Sequence, residues 1–222
     1  MRILTALTVA AVAVAAFITP AHAAGPLSEA GGTLAMPLHD AVKVLPAAEE
    51  NRIGYQRTSF RHWVDADRDG CSTRNEVLLD EAFLAPEQGA GCRLAGGEWY
   101  SAYDNLYISS PGGLDIDHLV PLAEAWDSGA SAWTAKEREA YANDLGDERS
   151  LIAISARSNR SKADQDPAEW LPTFGPYHCQ YLTDWVATNM RWQLAVDDRE
   201  RDTLTNATAD CPHVPVEVTF AR

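Results

Sequence analysis

The run Asp115-Ile116-Asp117-His118-Leu119-Val120-Pro121 sets a carboxylate directly beside an imidazole. That pairing offers a hard-oxygen metal ligand and a proton acceptor at one point of the backbone, two parts that hydrolysis by an activated water needs. Taken alone, the more economical reading is an Asp117 that hydrogen-bonds a structural His118. Alternation along a strand would send the two side chains to opposite faces. A shared site therefore requires the chain to twist or bend here, and Pro121 allows it.

A second run follows from Leu151 to Lys162, where an apolar strand leads into a helix start presenting Asn159, a neutral oxygen ligand, among Arg157, Arg160 and Lys162. A helix N-terminus favours anions through its free N–H groups and its dipole. By itself this run is more simply a capped helix with solvated cations. The third run, Asp65-Ala66-Asp67-Arg68-Asp69-Gly70-Cys71-Ser72-Thr73-Arg74-Asn75-Glu76, fits the twelve-residue calcium loop. Carboxylates fall at positions 1, 3 and 5, Gly at 6, a backbone carbonyl (Cys71) at 7 and Glu76 at 12. A merely solvated acidic loop is the competing reading, and the complete spacing favours Ca²⁺. The aromatic stretch Phe60 to Val64 is too short to supply the entering helix of a sensor. Cys71 inside the loop points to a locked structural site.

The elements that must position these runs read as follows. Residues 24–37 are small, Gly-rich and Pro-bearing, a loose leader, and a weak helical stretch over 39–50 is interrupted by Pro46. Residues 75–83 are helical. Gly96-Gly97 reads as a hairpin turn between Cys92-Arg93-Leu94 and Trp99-Tyr100. Pro111-Gly112-Gly113 breaks the chain before a strand over 114–120; Pro121 to Trp126 forms a helical turn, and Thr134 N-caps a helix through Asn143. Strand 151–154 precedes a helix entered from Asn159, and two more helices cover 177–194 and 198–209. The centre is thus strand, excursion, strand, helix. Trp99, Tyr100, Tyr103 and Tyr107 are read as core and hairpin packing, and Gly129 and Trp133 as structural.

Residues 1–23 read as an export signal: Arg2, an apolar run from Ile3 to Ile18, and the small-x-small pattern Ala21-His22-Ala23. No second apolar segment follows, so no membrane association is expected after cleavage. The 222 residues divide into 1–23 as leader, 24–54 as an N-terminal extension with one helix, and 55–222 as one domain, and the seven tryptophans can furnish its core. An exported chain meets an oxidising compartment, so the four cysteines are expected to pair. Three connectivities are possible, and proximity favours Cys71–Cys92 and Cys179–Cys211.

The formal charge is −14, with 18 basic against 32 acidic residues. That argues against a surface that coats a long duplex. From Arg149 to Lys162, however, the chain carries Arg149, Arg157, Arg160 and Lys162 and no acidic residue. One basic strip in an acidic protein suits a small site that grips a few phosphates.

Together, Asp117-His118-Leu119-Val120-Pro121 and Asn159-Arg160-Ser161-Lys162 resemble the two halves of the HNH nuclease motif. The longer runs from Asp115 to Ala130 and from Asn159 to Pro172 are similar to a family of secreted bacterial HNH (ββα-metal, His-Me finger) nucleases. That family shares its domain with the C-terminal part of GmrSD-type restriction endonucleases. The resemblance implies an α+β fold: a ββα-metal core with surrounding helices and a disulfide-stapled N-terminal part. It implies that Asp117 and Asn159 hold one divalent ion, with Asp115 as a further ligand or orienting group. His118 deprotonates the attacking water, and Arg157, Arg160 and Lys162 position phosphate. Oxygen ligands favour Mg²⁺ or Mn²⁺, with Zn²⁺ left open. The middle Asn of the motif falls where this chain has Ser150; its bracing part would pass to Ser150, Asn143 or Asp144. The expected protein is a secreted, monomeric, metal-dependent endonuclease, DNA favoured over RNA. Its rivals are a non-catalytic calcium-stabilised binding module and a metal phosphodiesterase for small substrates.

Overall fold

The β-strand Leu114–His118 (β7) pairs antiparallel with Leu151–Ser155 (β8), and this two-stranded ribbon is the wall on which the rest is built. The computed structural model describes residues 30–212 and 215–222; the export-signal reading of 1–23 lies outside them. Strict alternation turns Leu114, Ile116, Leu151 and Ala153 toward a smaller core that they share with Val77, Leu78 and Trp99. Ile154, on the other face, joins the larger core of Tyr103, Tyr141, Tyr181, Trp185 and Met190. Asp115 and Asp117 share that second face by register.

Helices close around the ribbon. Thr73–Asp80 (α2) crosses its outer side, where Arg74 donates to the carbonyls of Pro111 and Leu114, and the next residue, Glu81, accepts the Ala153 N–H. Leu122–Asp127 (α3) and Ala135–Ala142 (α4) fill the excursion between the strands. Thr134 caps α4 through a full capping box with Glu137, as its sequence signature requires. Ala156–Lys162 (α5) follows β8 immediately, with the Ser155 hydroxyl as its cap. His178–Trp192 (α6) and Asp198–Ala207 (α7) complete the larger core. No helix among the described residues is long and apolar enough to cross a membrane.

The N-terminal part departs from the expected loose leader. Thr33–Pro37 (β1) pairs antiparallel with Pro215–Thr219 (β9), and Leu38–Val44 (α1) buries Leu38, Ala41 and Val42 in the larger core. Local composition could not reveal this, because the partner strand lies at the other end of the chain. Gly96-Gly97 is not a hairpin turn. Arg93–Ala95 (β4) pairs back with Glu87–Gly89 (β3), while Glu98–Ser101 (β5) lies between Ala82–Leu84 (β2) and Leu106–Ile108 (β6). The two glycines, both at positive φ, pass the chain from one small sheet to another. The aromatics divide accordingly: Trp99 and Tyr103 are buried, whereas Tyr100 and Tyr107 are exposed and meet each other on the outer face of β5 and β6. Both expected disulfides are present, Cys71–Cys92 and Cys179–Cys211.

Candidate active site

Asp117, His118 and Asn159 line one cavity of about 440 Å³ together with Tyr55, Arg57 and Arg160. The partners of Asp117 and His118 nevertheless diverge, as alternation demands. His118 ends β7 with its ring against Trp63 and Tyr141, and its Nε2 lies 2.9 Å from the Ala142 carbonyl. A carbonyl only accepts, so Nε2 carries the proton and the Nδ1 lone pair is left for other work. Burial disfavours the charged imidazolium and pushes the His118 pKa down to about 3, with Arg57, His62 and Lys162 adding to the effect and the Ala142 hydrogen bond opposing it. The ring is therefore neutral, the state a proton acceptor needs.

The Ala142 carbonyl is held in place by its neighbour. Asn143 ends α4, and its side chain accepts from Val64 N and the Thr73 hydroxyl and donates to the carbonyls of Arg61 and Glu139. It ties α4, α2 and the 61–64 segment together beneath His118. Ser150 instead gives its hydroxyl to Asp144, whose carboxylate also takes Arg191 and Trp192. Of the three candidates for the motif's middle residue, Asn143 stands next to the carbonyl that His118 meets.

Asp117 points to the other side of the ribbon. Lys162 Nζ donates to its Oδ1 and Oδ2 at 2.8 and 2.7 Å and to the His118 carbonyl at 3.1 Å, and the Tyr103 hydroxyl donates to Oδ2 at 2.7 Å. Lys162 is 0% exposed, with its ammonium 6.0 Å from the Trp185 ring. Burial pushes the Asp117 carboxyl up and the Lys162 ammonium down, while their ion pair opposes both shifts. Lys162 thus has no surface to offer a phosphate, and the expected phosphate role for it has to be given up. Arg149 leaves the basic strip as well, forked onto Asp147 and bonded to the Glu217 carbonyl.

Asn159 Nδ2 lies 3.5 Å from Asp115 Oδ2, which also accepts from Arg160 Nε at 3.2 Å. Arg157 and Arg160 are exposed. Sequence reasoning overlooked Arg57, an exposed cation across the same cavity, and Tyr103, whose hydroxyl fixes Asp117. Neither belongs to a motif, and only the tertiary fold brings them in.

These donors fit a hydrated divalent ion of the Mg²⁺ kind, which keeps several waters and takes one or two carboxylates. A carboxylate has about four lone-pair sites. Lys162 and Tyr103 occupy three on Asp117, which leaves one on Oδ1; the Asn159 amide oxygen and Asp115 supply the rest.

At the 65–76 loop, one oxygen each of Asp65, Asp67 and Asp69 lies within a 4.8 Å group. Gly70 takes φ 96°, the left-handed turn that glycine permits, and its N–H donates to Asp65. Glu76, four residues into α2, has a buried Oε2 without a hydrogen-bond partner. Burial and the three aspartates raise its pKa.

The ribbon and α5 thus gather an imidazole, carboxylates, an amide and surface arginines, and the chain belongs to the family described as GmrSD restriction endonucleases, C-terminal domain, whose model matches residues 76–207. It is also 34% identical over 199 residues to an uncharacterized secreted protein of Arthroderma benhamiae, covering 90% of this chain and 95% of that one. That relative is fungal, so the resemblance reaches beyond bacteria. No solved structure matches significantly.

Proposed function

We propose that this chain is a secreted, metal-dependent endonuclease that hydrolyses phosphodiester bonds of nucleic acid, DNA before RNA. In this reading β7, β8 and α5 form the ββα-metal core of the HNH class. The observation that carries the reading is a neutral His118 whose Nε2 is tied to the Ala142 carbonyl. Its other nitrogen then keeps its lone pair, and the residue lines one cavity with Asp117 and Asn159. Secretion is supported by the secreted relative and by two disulfides, which persist in oxidising compartments.

His118 Nδ1 takes the proton of the attacking water, and the fixed Nε2 hydrogen bond keeps the ring in the right tautomer. Asp117, Asn159 and Asp115 hold the divalent ion. When bound, that ion offsets charge developing on the scissile phosphate and on the leaving oxygen. Arg157, Arg160 and Arg57 orient phosphates from the rim. Incubating the purified protein with plasmid and with RNA, in Mg²⁺ or in EDTA, tests the reading. Nicking that needs the ion supports it, and no cleavage of either polymer overturns it. The acidic charge and the small cavity favour one rival, a phosphodiesterase for small substrates. Turnover of bis-p-nitrophenyl phosphate with intact plasmid would select it.

Substrate attraction is local. Arg157→Ala and Arg160→Ala should each weaken binding about equally across sequences and lower the salt slope by roughly one unit for each phosphate that is no longer neutralised. An unchanged slope places the binding surface elsewhere.

The 65–76 loop binds Ca²⁺ for stability. A ligand specific to the native state adds about 2.7 kcal/mol at a hundredfold excess over Kd. In a His118→Ala background, Ca²⁺ should raise the melting temperature of Asp67→Ala less than that of its parent. Equal responses would leave the loop an acidic turn.

A further inference from the structure

Carboxylates collect a second time behind α3. One oxygen each of Glu50, Glu124 and Asp127 lies within 4.8 Å of the others, and Glu50 forms a like group with Asp166 and Asp197. The two halves differ in how their oxygens are used. Asp166 accepts the Ala168 and Glu169 N–H groups and Arg199, and Asp197 caps α7 through the Glu200 N–H. These are employed in holding turns and a helix end.

The Glu50 half is not satisfied in this way. Asp127 is 6% exposed and gives Oδ2 to Arg52, but its buried Oδ1 has no hydrogen-bond partner. Since Oδ2 holds the guanidinium, Oδ1 is the oxygen with its coordination open. Glu124, on the same helix, is 3% exposed, and its Oε1 accepts the Ser128 hydroxyl. Burial and the surrounding carboxylates push the Glu124 pKa up to about 8. A buried acceptor left unmet costs on the order of 1–3 kcal/mol, more when charged. The geometric opening of this group is therefore Asp127 Oδ1, a buried oxygen with no hydrogen-bond partner. Glu50 is exposed and gives the group a side open to solvent.

We propose that Glu50, Glu124 and Asp127 form a divalent-cation site of the calcium class, separate from the 65–76 loop and from the cavity of His118. Carboxylates drawn from two distant segments suit Ca²⁺, which accepts six to eight oxygens in flexible geometry, with waters completing the shell. Mg²⁺ demands a near-ideal octahedron that such a group has less means to supply. The ion would fasten the segment around Glu50 to α3, which starts four residues after His118. Arg52 carries the tie onward by pairing with both Asp127 and Asp164, two residues past the end of α5. The site would thus clamp together the two chain segments that supply the imidazole and the amide.

Calorimetric titration of the full chain with Ca²⁺, free of other divalent ions, tests this independently of any nuclease activity. Glu124→Gln and Asp127→Asn should each bind one Ca²⁺ fewer than the parent. Glu124→Gln should also melt no lower than the parent in EDTA, because glutamine keeps an acceptor for the Ser128 hydroxyl and brings no charge into the core. Asp67→Asn combined with Glu124→Gln separates the two sites: a further loss of one ion assigns that ion to the loop, and no further loss removes the loop's claim alone. If Glu124→Gln and Asp127→Asn both keep the parent's stoichiometry, or the parent binds no Ca²⁺, the proposal fails and the group holds a shared proton.

Discussion

Lys162→Met should destabilise the protein by about 3–5 kcal/mol, the usual cost of removing one partner from a buried ion pair. The ammonium is wholly enclosed and meets Asp117 at both oxygens, so its loss leaves a carboxylate in the core with only the Tyr103 hydroxyl for company. Methionine fills most of the same volume, so the loss reports charge and not a void. Adding Asp117→Asn should recover most of the stability, since no uncompensated charge then remains and Tyr103 keeps an acceptor. Urea unfolding of the parent, the single and the double variant reads this directly. A single variant within about 1 kcal/mol of the parent would mean that the pair does not hold α5 against β7. Cleavage should fall in the double variant, because Asp117 is also the proposed ligand.

His118→Ala should lower cleavage by roughly 10² to 10⁴-fold, the range that a positioned general base contributes. Divalent-ion affinity at the site should stay near that of the parent, since the imidazole is not among the proposed ligands. The ring packs on Trp63 and Tyr141 and meets the Ala142 carbonyl, so the alanine variant also loses stability and must be assayed well below its melting temperature. Single-turnover nicking together with ion titration separates the effects. Undiminished cleavage removes His118 from the chemistry, and lost ion affinity moves it from base to ligand.

The central elements were legible because their signals are local. Thr134 marks a helix start, the Pro-Gly-Gly break and Pro121 bracket β7, and β8 is a plain apolar run. The cysteine pairs followed from proximity within an oxidisable chain. What stayed hidden depends on distant partners. Lys162 looks like any helix-surface cation until Asp117, Tyr103 and Trp185 surround it. Asn143 is one of three bracing candidates in the sequence, and only the folded 61–64 segment shows what its amide binds. The β1–β9 pairing joins residues near opposite ends of the chain, and nothing in either strand names the other. The same limit applied to the acidic residues: Glu50, Glu124 and Asp127 have no motif spacing and meet only through α3.

Helix α5 is seven residues long and begins directly where β8 stops, so no slack separates the two. Each residue along an α-helix turns the chain by about 100°. A one-residue insertion before Asn159 would therefore swing Lys162 away from its carboxylate and carry Asn159 off its present azimuth. The formal charge would be unchanged by a serine or alanine placed there, yet the interior cation would be stranded and the amide misdirected. Among natural variants, length changes should thus be absent between Leu151 and Lys162.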